Sequence, residues 1–392
     1  MNKKQIMQIF KDNAYIRVGG SEEEKRCAEY LLSNCSEMGI KSWLEPFEVE
    51  MATINEARLF IDGKEIPCKG YLRNNDKHSL AQCKGKIVFI DGLLRYWLFH
   101  DLADNGALGY ITFDGNVNYA DQDIDQKELR GYISNGVILP GVNINAKDAV
   151  KIIKNGAKTA KIVLDQDQYK GESQNIVAEL PGEIDEYIVF TAHYDSTSLS
   201  TGAYDNMSGV IGLLMAAEHF SSRPHCYGLR FVWCGSEERG LLGSKAYCAS
   251  HEDELKKTAL NINLDMIGTI MGQFVVHCSC EEKTAHYIEY MASELGLGID
   301  VRNDLHSSDS TPFDDKGVPA VSFARSAPGN TATVHNRYDT LKLMSPGQMQ
   351  EDMNFIISFA SRMANAARLP VSKEIPEKIK EMLDKYLNRK RE

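Results

Sequence analysis

Residues 188–205 read IVFTAHYDSTSLSTGAYD, and the rest of the chain is organised around this stretch. Ile188, Val189 and Phe190 form a short apolar run of β-branched and aromatic side chains, too brief for a helical pattern, so the stretch opens as a buried strand. It ends at His193, with Asp195 two residues on, and a small polar loop containing Gly202 then delivers Asp205. A strand of this kind turns its carboxyl end to a crevice, the edge at which open α/β sheets carry their chemistry. His193 and Asp205 are therefore candidate metal ligands whose partners lie elsewhere in the chain.

Working outward, the second half alternates strands and helices as an α/β sheet requires. Strands read at 175–180, 187–192, 229–234, 259–264, 274–278 and 320–323, and helices at 206–221, 241–250, 283–295 and 346–367. Near the N-terminus Ser21-Glu22-Glu23-Glu24 is a capping-box start. Ala28, Leu31, Cys35 and Met38 follow at helical spacing up to Gly39. From about 52 to 167 the character changes to short strand-like runs (57–61, 87–90, 110–113, 136–140) separated by Gly, Asn and Asp turns. Beyond Pro370, Ile379, Met382, Leu383, Tyr386 and Leu387 share one face of an amphipathic helix.

Composition sets the outer limits. A chain of 392 residues with 43% hydrophobic and 25% charged residues has room for two domains, or for one large α/β domain with an insertion. A net charge of −11 argues against nucleic acid as a partner. No apolar run approaches the roughly 18 residues of a membrane span. Nine cysteines without a CxxC pair, and no apolar stretch after Lys3 and Lys4, give the expectation of reduced thiols in a cytoplasmic protein.

Four segment ends deliver metal-type side chains: His193, Asp195 and Asp205; Glu237 and Glu238 after the strand FVWCG; Asp265 after ALNINL; and His335 in the loop Thr333-Val334-His335-Asn336. Any one alone is ordinary, and adjacent glutamates at a helix start are favoured by the dipole anyway. Two imidazoles and several carboxylates converging on one sheet edge suit a pair of zinc ions, which accept N and O donors.

The ordered motifs His-x-Asp, Asp-Asn-x-Ser-Gly, Gly-Ser-Glu-Glu-x-Gly-x-x-Gly-Ser, Asp-Met-Ile-Gly and a final His resemble the co-catalytic di-zinc aminopeptidases, a family related to glutamate carboxypeptidases and glutaminyl cyclases. The stretches GKIVFIDG, NGALGYITFDG and LPGVNINAKDAVKIIKNGA resemble a protease-associated domain. The resemblance implies an α/β fold whose mixed, mostly parallel sheet is flanked by helices, with an inserted β-rich module. It divides the chain into a peptidase domain (1–51 and 168–370), a protease-associated-like insert (52–167) and a C-terminal amphipathic helix (371–392). It further implies that Asp205 bridges two zinc ions, with His193 and Asp265 completing one shell and Glu238 and His335 the other. Glu237 would be the general base on a water between the ions, and Asp195 would accept the His193 ring N–H. The insert would limit access to small or unfolded peptides. Cobalt and manganese are alternative metals. Many relatives carry Ser-Asp-His where this chain reads Ser308-Asp309-Ser310, leaving that loop's substrate contacts open.

The expected function is removal of N-terminal residues from peptide substrates by a monomer or homodimer, with no nucleic-acid or membrane partner. The alternatives are a carboxypeptidase, with Arg325 or Arg337 pairing a substrate carboxylate, a glutaminyl cyclase, and a catalytically silent binding protein. Silent relatives lose ligands, whereas all five candidates and the base are present here.

Overall fold

The computed structural model describes residues 1–71, 83–91, 94–118, 124, 126–129, 131–328 and 334–391. Two compact units divide the chain: Met1–Val49 with Glu172–Lys390, and Glu50–Gly171. The strands Lys41–Ile61 and Ala160–Leu180 run from one to the other.

In the first unit the sheet runs in the order Ile299–Arg302, Gln273–Cys278, Ala320–Ser326, Thr258–Leu264, Ile184–His193, Tyr227–Cys234, Ala160–Leu180, Lys41–Ile61. Its four central strands, Ala320–Ser326 through Tyr227–Cys234, are mutually parallel. The chain leaves Ile184–His193 for the neighbour on one side, then returns to the neighbour on the other, which makes the end of this strand the switch point. Side chains sort by the period of two. Ile188, Phe190 and Ala192 join Leu229, Phe231 and Trp233 in the core on one face, while Val189 joins Val232 and Cys234 on the other. The first face is covered by Ser208–Ser221, itself packed against Pro346–Ala364 and Lys3–Asn13, which is why that helix is apolar nearly all round. The second face is covered by Tyr247, Cys248 and Phe313. The central sheet is thus mostly parallel and flanked by helices, the class expected from the alternating pattern.

Several elements differ from their expected bounds. Residues expected as a strand at 57–61 are the end of the longer strand Lys41–Ile61. The strand expected at 136–140 lies at Gly141–Asn145 instead. Pro140 has no N–H for a ladder, and its carbonyl accepts from Tyr110. The second unit is built on a four-stranded sheet in the order Cys68–Gly70, Gly141–Asn145, Gly109–Asp114, Ile87–Phe89, with helices Tyr96–Asp104 and Ala146–Lys154. The C-terminal helix, Glu377–Tyr386, lies in the first unit, where Ile379 and Leu383 pack with Ile375 and Leu305.

One ion pair ties the start of Lys41–Ile61 to the end of helix Leu242–Ser250. His251 Nε2 lies 3.0 Å from Glu45, and the ring stacks on Tyr247 at 4.4 Å. The hydrogen bond to Glu45 raises the imidazole pKa against the opposing effect of burial. A raised folded-state pKa stabilises fully below the unfolded value of about 6.5 and is lost as pH rises through the folded value. His251→Gln is therefore expected to cost on the order of 0.5 kcal/mol near pH 5.5 and nothing attributable to this pair near pH 9, read by urea unfolding at the two pH values.

Candidate metal centre

Three of the four parallel strands end at the site. Ile184–His193 delivers His193, Tyr227–Cys234 leads to Glu237 and Glu238, and Thr258–Leu264 leads to Asp265. Asp205 sits at the entry to helix Ser208–Ser221. There the Asn206 side chain accepts from the amides of Gly209 (2.9 Å) and Met266 (3.0 Å) and donates to Leu264 O (2.9 Å), stitching the Asp205 and Asp265 corners together. Three of these corners turn through left-handed residues other than glycine: Ser236 (φ 52°), Met266 (φ 65°) and His335 (φ 59°). Each such residue costs on the order of 1 kcal/mol and persists only where its surroundings dictate it.

The side chains meet in two triads sharing one carboxylate. His193 Nε2 lies 3.1 Å from Asp205 Oδ1 and 3.6 Å from Asp265 Oδ1. His335 Nε2 lies 3.0 Å from Asp205 Oδ2 and 3.1 Å from Glu238 Oε2. Each triad, His193–Asp205–Asp265 and Asp205–Glu238–His335, has its donor atoms within 4.8 Å of one another. All five sequence candidates for ligands are thus brought together, while Thr333 of the His335 loop lies outside the described residues. Glu237 belongs to neither triad. Asp195 is 3.4 Å from His193 Nδ1, too far for a well-made hydrogen bond. Its oxygens instead accept from the backbone amides of Glu237 (2.9 Å) and Glu238 (3.1 Å).

The electrostatics say what this arrangement suits. Burial disfavours charge on His193, yet Glu237, Asp195, Asp205 and Asp265 outweigh it and push the imidazole pKa well above its usual value. His335, opposed by burial in the same way, is pushed up to about 11 by Glu238 and Asp205. Burial and like charge raise Glu237 and Glu238, and raise Asp309 to about 7. Asp205, between two imidazoles, is held below the usual carboxylate range despite its burial. Among the described residues, several buried polar atoms have no hydrogen-bond partner: His193 Nδ1, Asp265 Oδ1, Glu238 Oε1 and both oxygens of Asp309. Buried carboxylates in such excess call for cations. Mixed N and O donors in two adjacent sets fit a pair of divalent ions.

Sequence reasoning missed several residues that aim these groups. Ser308 Oγ donates to Asp265 Oδ2 at 2.6 Å and accepts from Asn263. Asp339, fully enclosed, accepts from the amides of Tyr204 (2.8 Å) and Asp205 (3.1 Å) and from Ser200 Oγ. The signal for Asp339 was its place four residues after His335, but an aspartate there has no assigned role until the fold brings it under Asp205. Ser310 pairs with Ser322 in the interior. Tyr194 and Phe313 are core residues, and Tyr338 is exposed. Arg325, offered above as a partner for a substrate carboxylate, is committed to Asp352 through Nε and Nη2 and to Gly272 O.

Comparison with known proteins follows the same lines. Residues 175–360 match the model of peptidase family M28. Aminopeptidase YwaD of Bacillus subtilis (strain 168) is 30% identical over 290 residues, covering 70% of this chain and 62% of that protein. The chain thus spans less than two thirds of that relative's length. The structure of an aminopeptidase from Aneurinibacillus sp. strain AM-1 superposes with a TM-score of 0.77 at 22% identity, over 95% of this chain and 96% of that one. That of a zinc aminopeptidase from Bacillus subtilis gives 0.78 at 23% identity, over 96% and 98%. At these identities the two structures speak for the fold. The matched segment, residues 175–360, contains both triads and is similar to peptidase family M28.

Proposed function

We propose that the chain is a zinc-dependent aminopeptidase that hydrolyses N-terminal residues from peptides, with one ion at each triad. The observation that carries this reading is the divided carboxylate of Asp205, one oxygen toward His193 and the other toward His335. Zinc suits the donor set and is the metal named for the Bacillus subtilis structure, with cobalt or manganese as alternatives. Zinc, when bound, supplies Lewis-acid polarisation of the scissile carbonyl and a water of lowered pKa.

The chain's own residues do the rest. Glu237 lies beside a ligand yet outside both triads, so its carboxyl is free to take a proton from the attacking water and return it to the departing amine. Asp195 holds the amides of Glu237 and Glu238, and so fixes the corner at which the base and the ligand diverge. Asp195 also lies beside His193 Nδ1, where it favours the tautomer that leaves Nε2 free to bind metal. Residues 52–167 are read as a protease-associated domain on their Gly-rich strand motifs. The engagement of Arg325 by Asp352 removes one of the two basic side chains that a carboxypeptidase reading would use.

Glu237→Gln is expected to keep the wild-type zinc content while kcat falls by about 10³-fold. Zinc retention with undiminished turnover would overturn the general-base assignment. A peptide panel read by mass spectrometry separates the activities. Free-amine peptides are expected to lose single N-terminal residues, and the same peptides acetylated at the N-terminus to stay intact. Loss from the C-terminus irrespective of the block would indicate a carboxypeptidase, and loss of ammonia from N-terminal glutamine a cyclase.

A further inference from the structure

The segment Arg17-Val-Gly-Gly-Ser-Glu-Glu-Glu24 touches both ligand-bearing loops, although none of its residues belongs to either triad. Arg17 is fully buried. Among the described residues no carboxylate pairs with it. All of its side-chain hydrogen bonds go to backbone carbonyls: Nε to Tyr194, Nη1 to Asn13 (3.3 Å), Tyr15 (2.8 Å) and Thr201 (2.7 Å), and Nη2 to Gly202 (2.9 Å). Tyr194 follows His193 directly, and Gly202 precedes Asp205 by three residues. One guanidinium therefore closes both ends of the loop between two ligands. The backbone repeats the contact: Arg17 N donates to Ser196 Oγ (3.0 Å), and Ser196 N donates to Arg17 O (3.1 Å). The fit is close enough that a Cβ on Gly202, itself at φ 56°, would lie 2.8 Å from Arg17 Nη2.

Glu24 does the same for the other loop. It is the third residue of helix Glu22–Glu37, where a capping-box glutamate would bond back to the Ser21 amide. Ser21 makes its half of that motif by accepting from Glu24 N at 3.1 Å, but the Glu24 carboxylate goes elsewhere. One oxygen accepts from Ser236 N (2.9 Å) and Ser173 Oγ (2.9 Å), the other from Gly20 N (2.6 Å). Ser236 is the left-handed residue immediately before Glu237 and Glu238. The same corner presses on Gly19, where a Cβ would lie 2.2 Å from Ser236 Oγ, and Arg239 Nη1 donates to Gly19 O at 3.2 Å.

We propose that Arg17 and Glu24 are positioning residues of the metal centre, a buried clamp that sets the spacing between the His193–Asp205 loop and the Glu237–Glu238 corner. The inference rests on the two-metal reading above. Neither residue touches metal or substrate; each acts through backbone groups that aim the ligands. An isolated lysine cannot substitute for Arg17, because one ammonium with three donors cannot span carbonyls at both ends of a loop.

The test is zinc affinity of the full-length chain by competition with a chromophoric chelator, in the absence of substrate, alongside thermal melts of the metal-free protein. Arg17→Ala, Arg17→Lys and Glu24→Gln are expected to lose at least about tenfold in zinc affinity, as outer partners of metal ligands do. The metal-free melt of Glu24→Gln is expected to stay near wild type, and those of the Arg17 variants to fall as buried carbonyls lose their donors. Millimolar guanidinium is expected to restore part of the affinity of Arg17→Ala and none of that of Glu24→Gln. Should Arg17→Ala fail to fold, Glu24→Gln and Ser196→Ala, which nearly preserve volume, carry the same comparison. Folded variants with wild-type zinc affinity would overturn the clamp while leaving the metal centre standing. Absence of zinc uptake by the wild-type chain would overturn both.

Discussion

The carboxylate of Asp205 stands between two imidazoles, 3.1 Å from His193 and 3.0 Å from His335, and the architecture around it follows from keeping it there. Asp195, Glu237, Glu238, Asp265 and Asp309 crowd the same volume. Buried carboxylates this close cannot all remain ionised without positive charge among them. The directions of the pKa shifts express that conflict: both histidines are driven up, and Glu237, Glu238 and Asp309 are driven toward protonation. The proposed pair of divalent cations would resolve it, and would leave Glu237, with Asp195 and Asp309, outside the ligand set.

The fold holds this charge in place through backbone amides. Asp195 takes the amides of Glu237 and Glu238, Asp339 those of Tyr204 and Asp205, and Glu24 those of Gly20 and Ser236. Each buried carboxylate therefore fixes a corner from which a candidate ligand projects. The corners can be this tight because the four central strands are parallel and end at one edge, with both faces of the sheet covered. Left-handed residues at Ser236, Met266 and His335 show where the backbone yields to the site.

Strand ends were legible in the sequence because an apolar run followed by His or Asp is a local signal. His193 and Asp265 stand in such contexts, whereas Asp205, Glu238 and His335 were legible only through the ordered motifs, and the five meet in the two triads. The supporting residues were illegible because their contacts are remote. Arg17 reaches Tyr194 across 177 positions, Glu24 reaches Ser236 across 212, and Asp339 reaches Asp205 across 134. Local rules even misdirect at Glu24, where the capping-box pattern predicts a partner one helical turn away and the tertiary fold supplies another. The strand expected at 136–140 failed for a local reason, since the apolar run there ends in a proline with no N–H to donate and the strand begins after it.

The proposed function requires two metal sites joined by Asp205. Crystals of the zinc-loaded protein, measured on either side of the zinc absorption edge, test this directly. It predicts two anomalous peaks, both in contact with Asp205, one shared with His193 and Asp265 and the other with Glu238 and His335. A single peak, or a second ion held without Asp205, would contradict it.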